Sequence, residues 1–183
     1  MQLNSSDGAS VELRIAGYEF QGHCPIPTLK EVQQQMGRAN ARVVGVDWDV
    51  NWLQVRGNIT PADGAAWAFE DPCLTTWEAR ELGDWLRAVA AGTVPPSAGG
   101  SHFEGWMGFT EPYLSFELAD RMAGRVRIRA HFTGEVKPPW FQRGHERSPN
   151  SYLLLVDVSA DEVAQAAESW MQHLAEFPVR ALP

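Results

Sequence analysis

The feature that most constrains this fold is period-two alternation of apolar and polar residues in several separate stretches. Successive side chains of a strand point to opposite faces, so strict alternation implies an extended segment with one face buried. The cleanest case runs from Arg125 to Phe132. Val126, Ile128, Ala130 and Phe132 alternate with Arg125, Arg127, Arg129 and His131, which predicts one apolar and one strongly basic face. Between Ser10 and Phe20, Val11, Leu13 and Ile15 share a face that Tyr18 or Phe20 extends, with Glu12 and Arg14 opposite. From Val43 to Ile59 the apolar positions are Val44, Val46, Trp48, Val50 and Trp52, so Asp47, Asp49 and Asn51 project the other way. Leu53 and Val55 then change phase, which predicts a bulge near Trp52 or Leu53.

Further strands follow from the same pattern. Pro61 to Gly64 reads as a turn, and Ala65 to Phe69 returns with Trp67 and Phe69 on one face. Phe103, Met107 and Phe109 form one run and Tyr113 to Leu118 another. Tyr152 to Val158 is apolar on both faces and is expected at the centre of a sheet. Two segments switch to helical spacing. Thr75 and Glu78 have capping-box spacing before the stripe Leu82, Trp85, Leu86 and Val89, with Gly92 and Pro95-Pro96 ending it. Ser159 and Glu162 repeat the box before Val163, Ala166, Ala167, Trp170, Leu174 and Phe177, and Pro178 stops that helix. Strands, helix, strands, helix predicts an α+β fold: an antiparallel β-sheet, open to a sandwich-like arrangement, with two amphipathic helices packed on it. Residues 1–183 fit a single domain, with residues 22–42, broken by Pro25 and Pro27, as a loop insertion. No internal repeat of fixed period is visible.

At 183 residues a chain buries roughly 70% of the surface its unfolded form exposes, so no disulfide or metal is needed for the core. Cys24 and Cys73 are read as buried free thiols, since two cysteines are not a disulfide framework. No stretch approaches the roughly 18 apolar residues of a membrane span. Met1 to Asp7 lacks the basic and apolar regions of a signal peptide, so the expected location is cytoplasmic.

Charge is unevenly distributed. Val43 to Asp120 carries 12 acids against 3 bases, and Arg121 to Arg147 carries 7 bases against 2 acids, within a total of -8. An acidic chain is a poor ligand for phosphate backbones and a good one for a basic partner, so no nucleic acid is expected. Asp47-x-Asp49-x-Asn51 opens like a calcium loop, but Trp52 and Asn58 stand where such a loop needs glycine and a bidentate glutamate. Glu104, Glu111 and Glu117, with Asp47 and Asp49, supply carboxylates for a glycosidase pair, although sequence gives no separation. His23, His102, His131, His145 and His173 show no metal-ligand spacing, and there is no nucleophile elbow, P-loop or dinucleotide fingerprint. No cofactor is expected. The stripe of Arg125, Arg127 and Arg129 reads as a solvated strand face paired with acids of a neighbouring strand. Trp77, Trp85 and Trp170 lie on core stripes, and Trp140 is the best candidate for an exposed aromatic.

Four ordered patterns resemble the WapI family of bacterial immunity proteins. They are Asp49-Val50-Asn51-Trp52-Leu53; Trp67 followed by Asp71-Pro72-Cys73-Leu74 and a helix with Glu81-Leu82 and Trp85-Leu86; Phe109 to Glu117; and the closing helix ending Phe177-Pro178-Val179-Arg180. The resemblance spans about Val43 to Arg180. It implies a non-enzymatic antitoxin that binds the C-terminal toxic domain of a large secreted protein, often a nuclease. The family brings no catalytic residues. Because nucleases grip phosphates with basic clefts, Asp47, Asp49, Glu104 and Glu111 are the expected contacts with such a toxin. The rival readings are a hydrolase acting on a small or glycan substrate through paired carboxylates, and a ligand-binding or scaffold module without a toxin partner.

Overall fold

The computed structural model describes residues 1–20, 48–97, 104–141 and 150–180. Alternation becomes two antiparallel sheets. In the first, β1 (Gln2–Asn4), β2 (Ser10–Tyr18), β3 (Trp52–Thr60) and β4 (Trp67–Thr75) pair in sequence order. In the second, β5 (Trp106–Gly108), β6 (Leu114–Met122), β7 (Arg125–Phe132) and β8 (Tyr152–Ser159) do the same. The last strand of each sheet leads straight into a helix, α1 (Thr76–Ala91) after β4 and α2 (Ala160–Leu174) after β8. The expected α+β fold is therefore present with two sheets. The halves repeat a topology rather than a sequence period: a short strand, three long ones and a helix.

Both capping boxes form as predicted. Thr75 Oγ1 accepts from Glu78 N while the Glu78 carboxylate accepts from Thr75 N, and Ser159 with Glu162 does the same for α2. Each box satisfies amide groups that the first turn of a helix leaves without partners. Gly92 ends α1 at φ 79°, in the left-handed region that glycine enters at little cost. Helix α2 ends at Leu174, ahead of Pro178, and Phe177 leaves the helical path to meet Tyr18 edge-on at 5.6 Å.

One apolar cluster joins the inner faces of both sheets and both helices. Val11, Leu13 and Ile15 of β2 meet Leu53, Val55 and Ile59 of β3, and Val126, Ile128, Ala130 and Phe132 of β7 enter from the second sheet. Trp67 joins the sheets: its ring lies 5.2 Å from Phe132 and 5.1 Å from Tyr152, and its Nε1 donates to the Val136 carbonyl at 3.0 Å. Trp170, fully buried on α2, joins the helices by donating to the Ala79 carbonyl at 2.6 Å. Trp85 is half-buried, 6.3 Å from Phe116.

Two strand expectations change. The strand expected from Val43 begins only at Trp52, because Trp48–Asn51 forms a turn of 3-10 helix; residues 43–47 lie outside the described residues, as do residues 22–42. Within β3 the inward set is Leu53, Val55 and Ile59, and the register shift toward β4 falls between Leu53 and Val55. Asn51, expected on a polar strand face, is fully buried. Its Oδ1 accepts from Thr76 Oγ1 at 3.3 Å and from Arg180 N at 2.8 Å, so it ties α1 to the C-terminal segment. Strand β8 is an edge rather than a centre. Leu154, Val156 and Val158 enter the core, while Leu155 on its other face is exposed.

Candidate partner-binding surface

Carboxylates from four separated parts of the chain converge beside the edge strand β4. Asp71 stands where β4 loses its regular register. Glu111 lies in the turn between β5 and β6, Glu135 in the short 3-10 turn Gly134–Val136 after β7, and Glu19 just past β2. Local bonds set this arrangement. Glu78 of α1 uses its second oxygen, Oε1, to accept from Thr110 N at 2.6 Å, which pins the turn bearing Glu111 to the start of the helix. Thr133 closes that turn against the end of β7: its amide donates to the Tyr113 carbonyl at 2.8 Å and its hydroxyl to the Pro112 carbonyl at 2.6 Å. The next residue, Gly134, has φ 51°, and a Cβ there would stand 2.5 Å from the Tyr113 ring, so only glycine fits. The Trp67–Val136 bond then holds the Glu135 turn against β4.

The electrostatic result is concentrated on Asp71. Burial, and after it the charges of Glu135, Glu111 and Glu19, push its carboxyl above the ordinary aspartate value. Its Oδ1 is buried and meets no hydrogen-bond donor among the described residues. Glu19 accepts from the Gln54 side-chain amide, which leaves its negative charge in place. This corner gathers negative charge, and among the described residues no cation neutralises Asp71. An incoming guanidinium or ammonium group would both neutralise the repulsion and supply the missing donor.

The four sequence candidates separate. Glu111 belongs to this corner. Asp49 is exposed on the 3-10 turn, where its Oδ1 accepts from Trp52 Nε1 at 3.2 Å; the same turn carries Asn51, bonded to the first residue of α1. Glu104 is exposed at the entry to β5, and no hydrogen bond or ion pair among the described residues links it to Glu111. Asp47 lies outside the described residues. Sequence reasoning does not single out Asp71, Glu135 or Glu19, the other members of this corner. Asp71 was visible only as part of the Asp71-Pro72-Cys73-Leu74 pattern, and no local spacing signals a convergence of four distant segments.

The other charged features are internal pairs. Arg125 and Arg127 both reach Asp157, at 2.6 and 3.2 Å, and Arg129 reaches Glu117 at 2.7 Å, as the pairing expected of that stripe requires. Glu117 is buried and also meets His131 Nε2 at 3.3 Å. Cys73 is a buried free thiol, pushed by burial up to about 12. Trp140 is exposed, as expected, with its ring 5.8 Å from Trp67. Among the described residues no group of three or more His, Cys, Asp or Glu side chains is placed to hold a metal ion, and no helix is long and apolar enough to cross a membrane.

Comparison with curated proteins returns no match. The family model described as the immunity protein WapI-like family matches residues 2–178, nearly the whole chain. The chain therefore belongs to the WapI-like family of immunity proteins.

Proposed function

We propose that this protein neutralises a cognate secreted toxin by binding its C-terminal toxic domain directly in the cytoplasm, and that the toxic domain is a nuclease with a basic cleft. The observation that carries the contact assignment is the convergence of Asp71, Glu111 and Glu135 on one corner with an unmet acceptor at its centre. Membership of an immunity family supports the partner class. Asp49 extends the same acidic contact, and Asp47 and Glu104 are secondary contacts. The physics is electrostatic complementarity. Long-range attraction accelerates encounter with a basic cleft, and the bound acids exclude a polyanionic substrate from it. No cofactor takes part.

The test is co-expression with the toxic domain encoded beside this chain, followed by binding kinetics. Rescue of growth and a co-purifying complex are expected. Glu111→Lys with Glu135→Lys should slow association by about tenfold or more at low salt. Asp71→Asn should weaken the complex without destabilising the free protein, because its carboxyl is held above the ordinary value and ionisation there opposes folding at neutral pH. An association rate unchanged in the double variant would sink the contact assignment, and no rescue by the wild type would sink the immunity reading.

The raised Asp71 carboxyl close to Glu111 and Glu135 also favours a second reading, hydrolysis by paired carboxylates. Glycan hydrolysis by the wild type that is lost in Asp71→Asn is the result that would establish it.

A further inference from the structure

The outward face of the second sheet has a composition unlike the rest of this acidic protein. The strand registers arrange it in rows. One row reads Trp106, Glu117, Arg129, Leu155 across β5 to β8. The next reads Asp120, Arg127, Asp157 across β6 to β8, and a third Met122, Arg125, Ser159; a fourth row, Gly108, Ser115, His131, Leu153, has its two central residues buried. Three arginines face three carboxylates, so the face is neutral in a chain of net charge -8. It also holds three of the five exposed large apolar side chains among the described residues: Trp106 at 37%, Met122 at 48% and Leu155 at 40%. Tryptophan, methionine and arginine are the residue types enriched where proteins meet.

We infer that this face is a self-association surface that takes a second copy of the same chain. The row pattern is self-complementary about one axis. A two-fold axis parallel to the strands, between β6 and β7, lays β5 over the partner's β8 and β6 over the partner's β7. Each row then meets itself reversed. Trp106 covers Leu155 of the other copy, Asp120 meets Arg127, and Met122 lies along the stem of Arg125, while the buried Glu117 stays paired with Arg129 of its own copy. Both copies make the same contacts, which is the isologous arrangement of closed dimers. Neutrality matters as well, because two molecules of this charge repel each other wherever their acidic surfaces approach. Four strands spaced about 4.8 Å apart and the three rows that make the contacts, each two residues along the strand from the next, give a footprint of roughly 15 by 20 Å. That is smaller than the ~800 Å² per partner of a standard interface, so the dimer is weak and concentration-dependent, with a dissociation constant of tens of micromolar or more. The inference is independent of the immunity reading, and the acidic corner around Asp71 takes no part in it.

Sedimentation equilibrium of the full chain up to about 1 mM tests it. A reversible monomer–dimer equilibrium is expected. Trp106→Glu and Leu155→Lys should each raise the dissociation constant about tenfold or more while leaving the circular dichroism melting curve in place. An equal mixture of these two variants should associate more tightly than either alone, because the axis pairs one substituted position with the other and leaves a native Trp106–Leu155 contact opposite. A wild type that stays monomeric overturns the inference, including the case where Leu155→Lys loses toxin binding and so assigns the face to the toxin. A mixture no tighter than its components overturns the axis and with it the proposal.

Discussion

Two capping boxes in one protein allow a controlled experiment on what a buried helix cap contributes. In α2, Glu162 Oε2 accepts from Ser159 N and Ser159 Oγ, both at 2.7 Å, at an exposed position. In α1, Glu78 Oε2 accepts from Thr75 N at 2.8 Å and Thr75 Oγ1 at 2.9 Å, and its Oε1 accepts from Thr110 N at 2.6 Å. Glu78 is buried. Glu162→Ala removes a solvent-exposed cap, with an expected cost of about 1 kcal/mol. Glu78→Ala removes the same cap and one further charge-assisted bond of about 1.5–3 kcal/mol, and leaves the Thr110 amide without its acceptor. The expected cost is therefore about 3–4 kcal/mol. For a chain of this length each kcal/mol moves the melting temperature by about 2–4 °C, so Glu78→Ala should lower it by about 6–16 °C and Glu162→Ala by about 2–4 °C. Urea unfolding at neutral pH measures both costs, provided the slope with denaturant is unchanged. Equal costs for the two variants would refute the reasoning, since burial and the third bond would then contribute nothing. If Glu111 contacts the toxin as proposed, a loosened Glu111 turn in Glu78→Ala should also slow that association, which Glu162→Ala should not do.

Two other perturbations follow from the packing and the charges. At Gly57 a Cβ would lie 2.2 Å from the Phe69 ring that crosses it from the neighbouring strand; Gly57→Ala should cost about 1–3 kcal/mol and most of that cost should vanish in a Phe69→Leu background, a coupling that a double-mutant cycle in urea reads directly. Burial holds the His131 imidazole below its ordinary value, although Glu117 pulls the other way, and burial holds His173 low as well. The native state therefore binds fewer protons than the unfolded chain as pH falls from about 6.5, and stability declines through that window. At Glu117 burial opposes ionisation, but the bond and charge of Arg129 outweigh it and keep the carboxyl below its ordinary value, so a second loss follows at lower pH as that group is protonated. His131→Gln should flatten the first decline, and a variant with the wild-type slope between about pH 7 and 5 would contradict the assignment.

What was legible in the sequence is what local physics encodes. The stripe from Arg125 to Phe132 became β7 with its faces as predicted, because a strand's alternation is set by neighbouring residues alone. Both capping boxes were readable for the same reason: the N-cap and its third residue are chemically complementary at fixed spacing. The errors fall where tertiary bonds override local pattern. Asn51 leaves the predicted strand because its amide oxygen has two partners, Thr76 Oγ1 and Arg180 N, and the latter lies 129 residues away. Strand β8 looked central because Leu155 is apolar, yet the sheet ends there and Leu155 faces outward. Of the acidic corner, Glu111 is among the residues that charge density singles out, while Asp71 and Glu135 are not, since only the folded chain brings them together.

The protein deploys its charge in two opposite ways. On the outer face of the second sheet each arginine has an acid across the ladder or beside it, so the charges satisfy one another and leave little field. Arg56 with Glu70 does the same on the first sheet. Such pairs contribute little to stability individually, and with no net field they do not draw a charged ligand to that face from a distance. At the corner of β4 the pattern inverts. Turns and strand ends, freed from ladder register, bring Asp71, Glu111, Glu135 and Glu19 together without a compensating cation among the described residues, and burial with these charges raises the Asp71 carboxyl above its ordinary value. An arrangement that opposes folding in the isolated protein becomes favourable when a partner supplies the positive charge. On the proposed contact assignment, the Asp71 carboxylate that opposes folding in the free protein becomes a source of attraction in the complex, with the recognition chemistry on turns and strand ends that the paired strands hold in place.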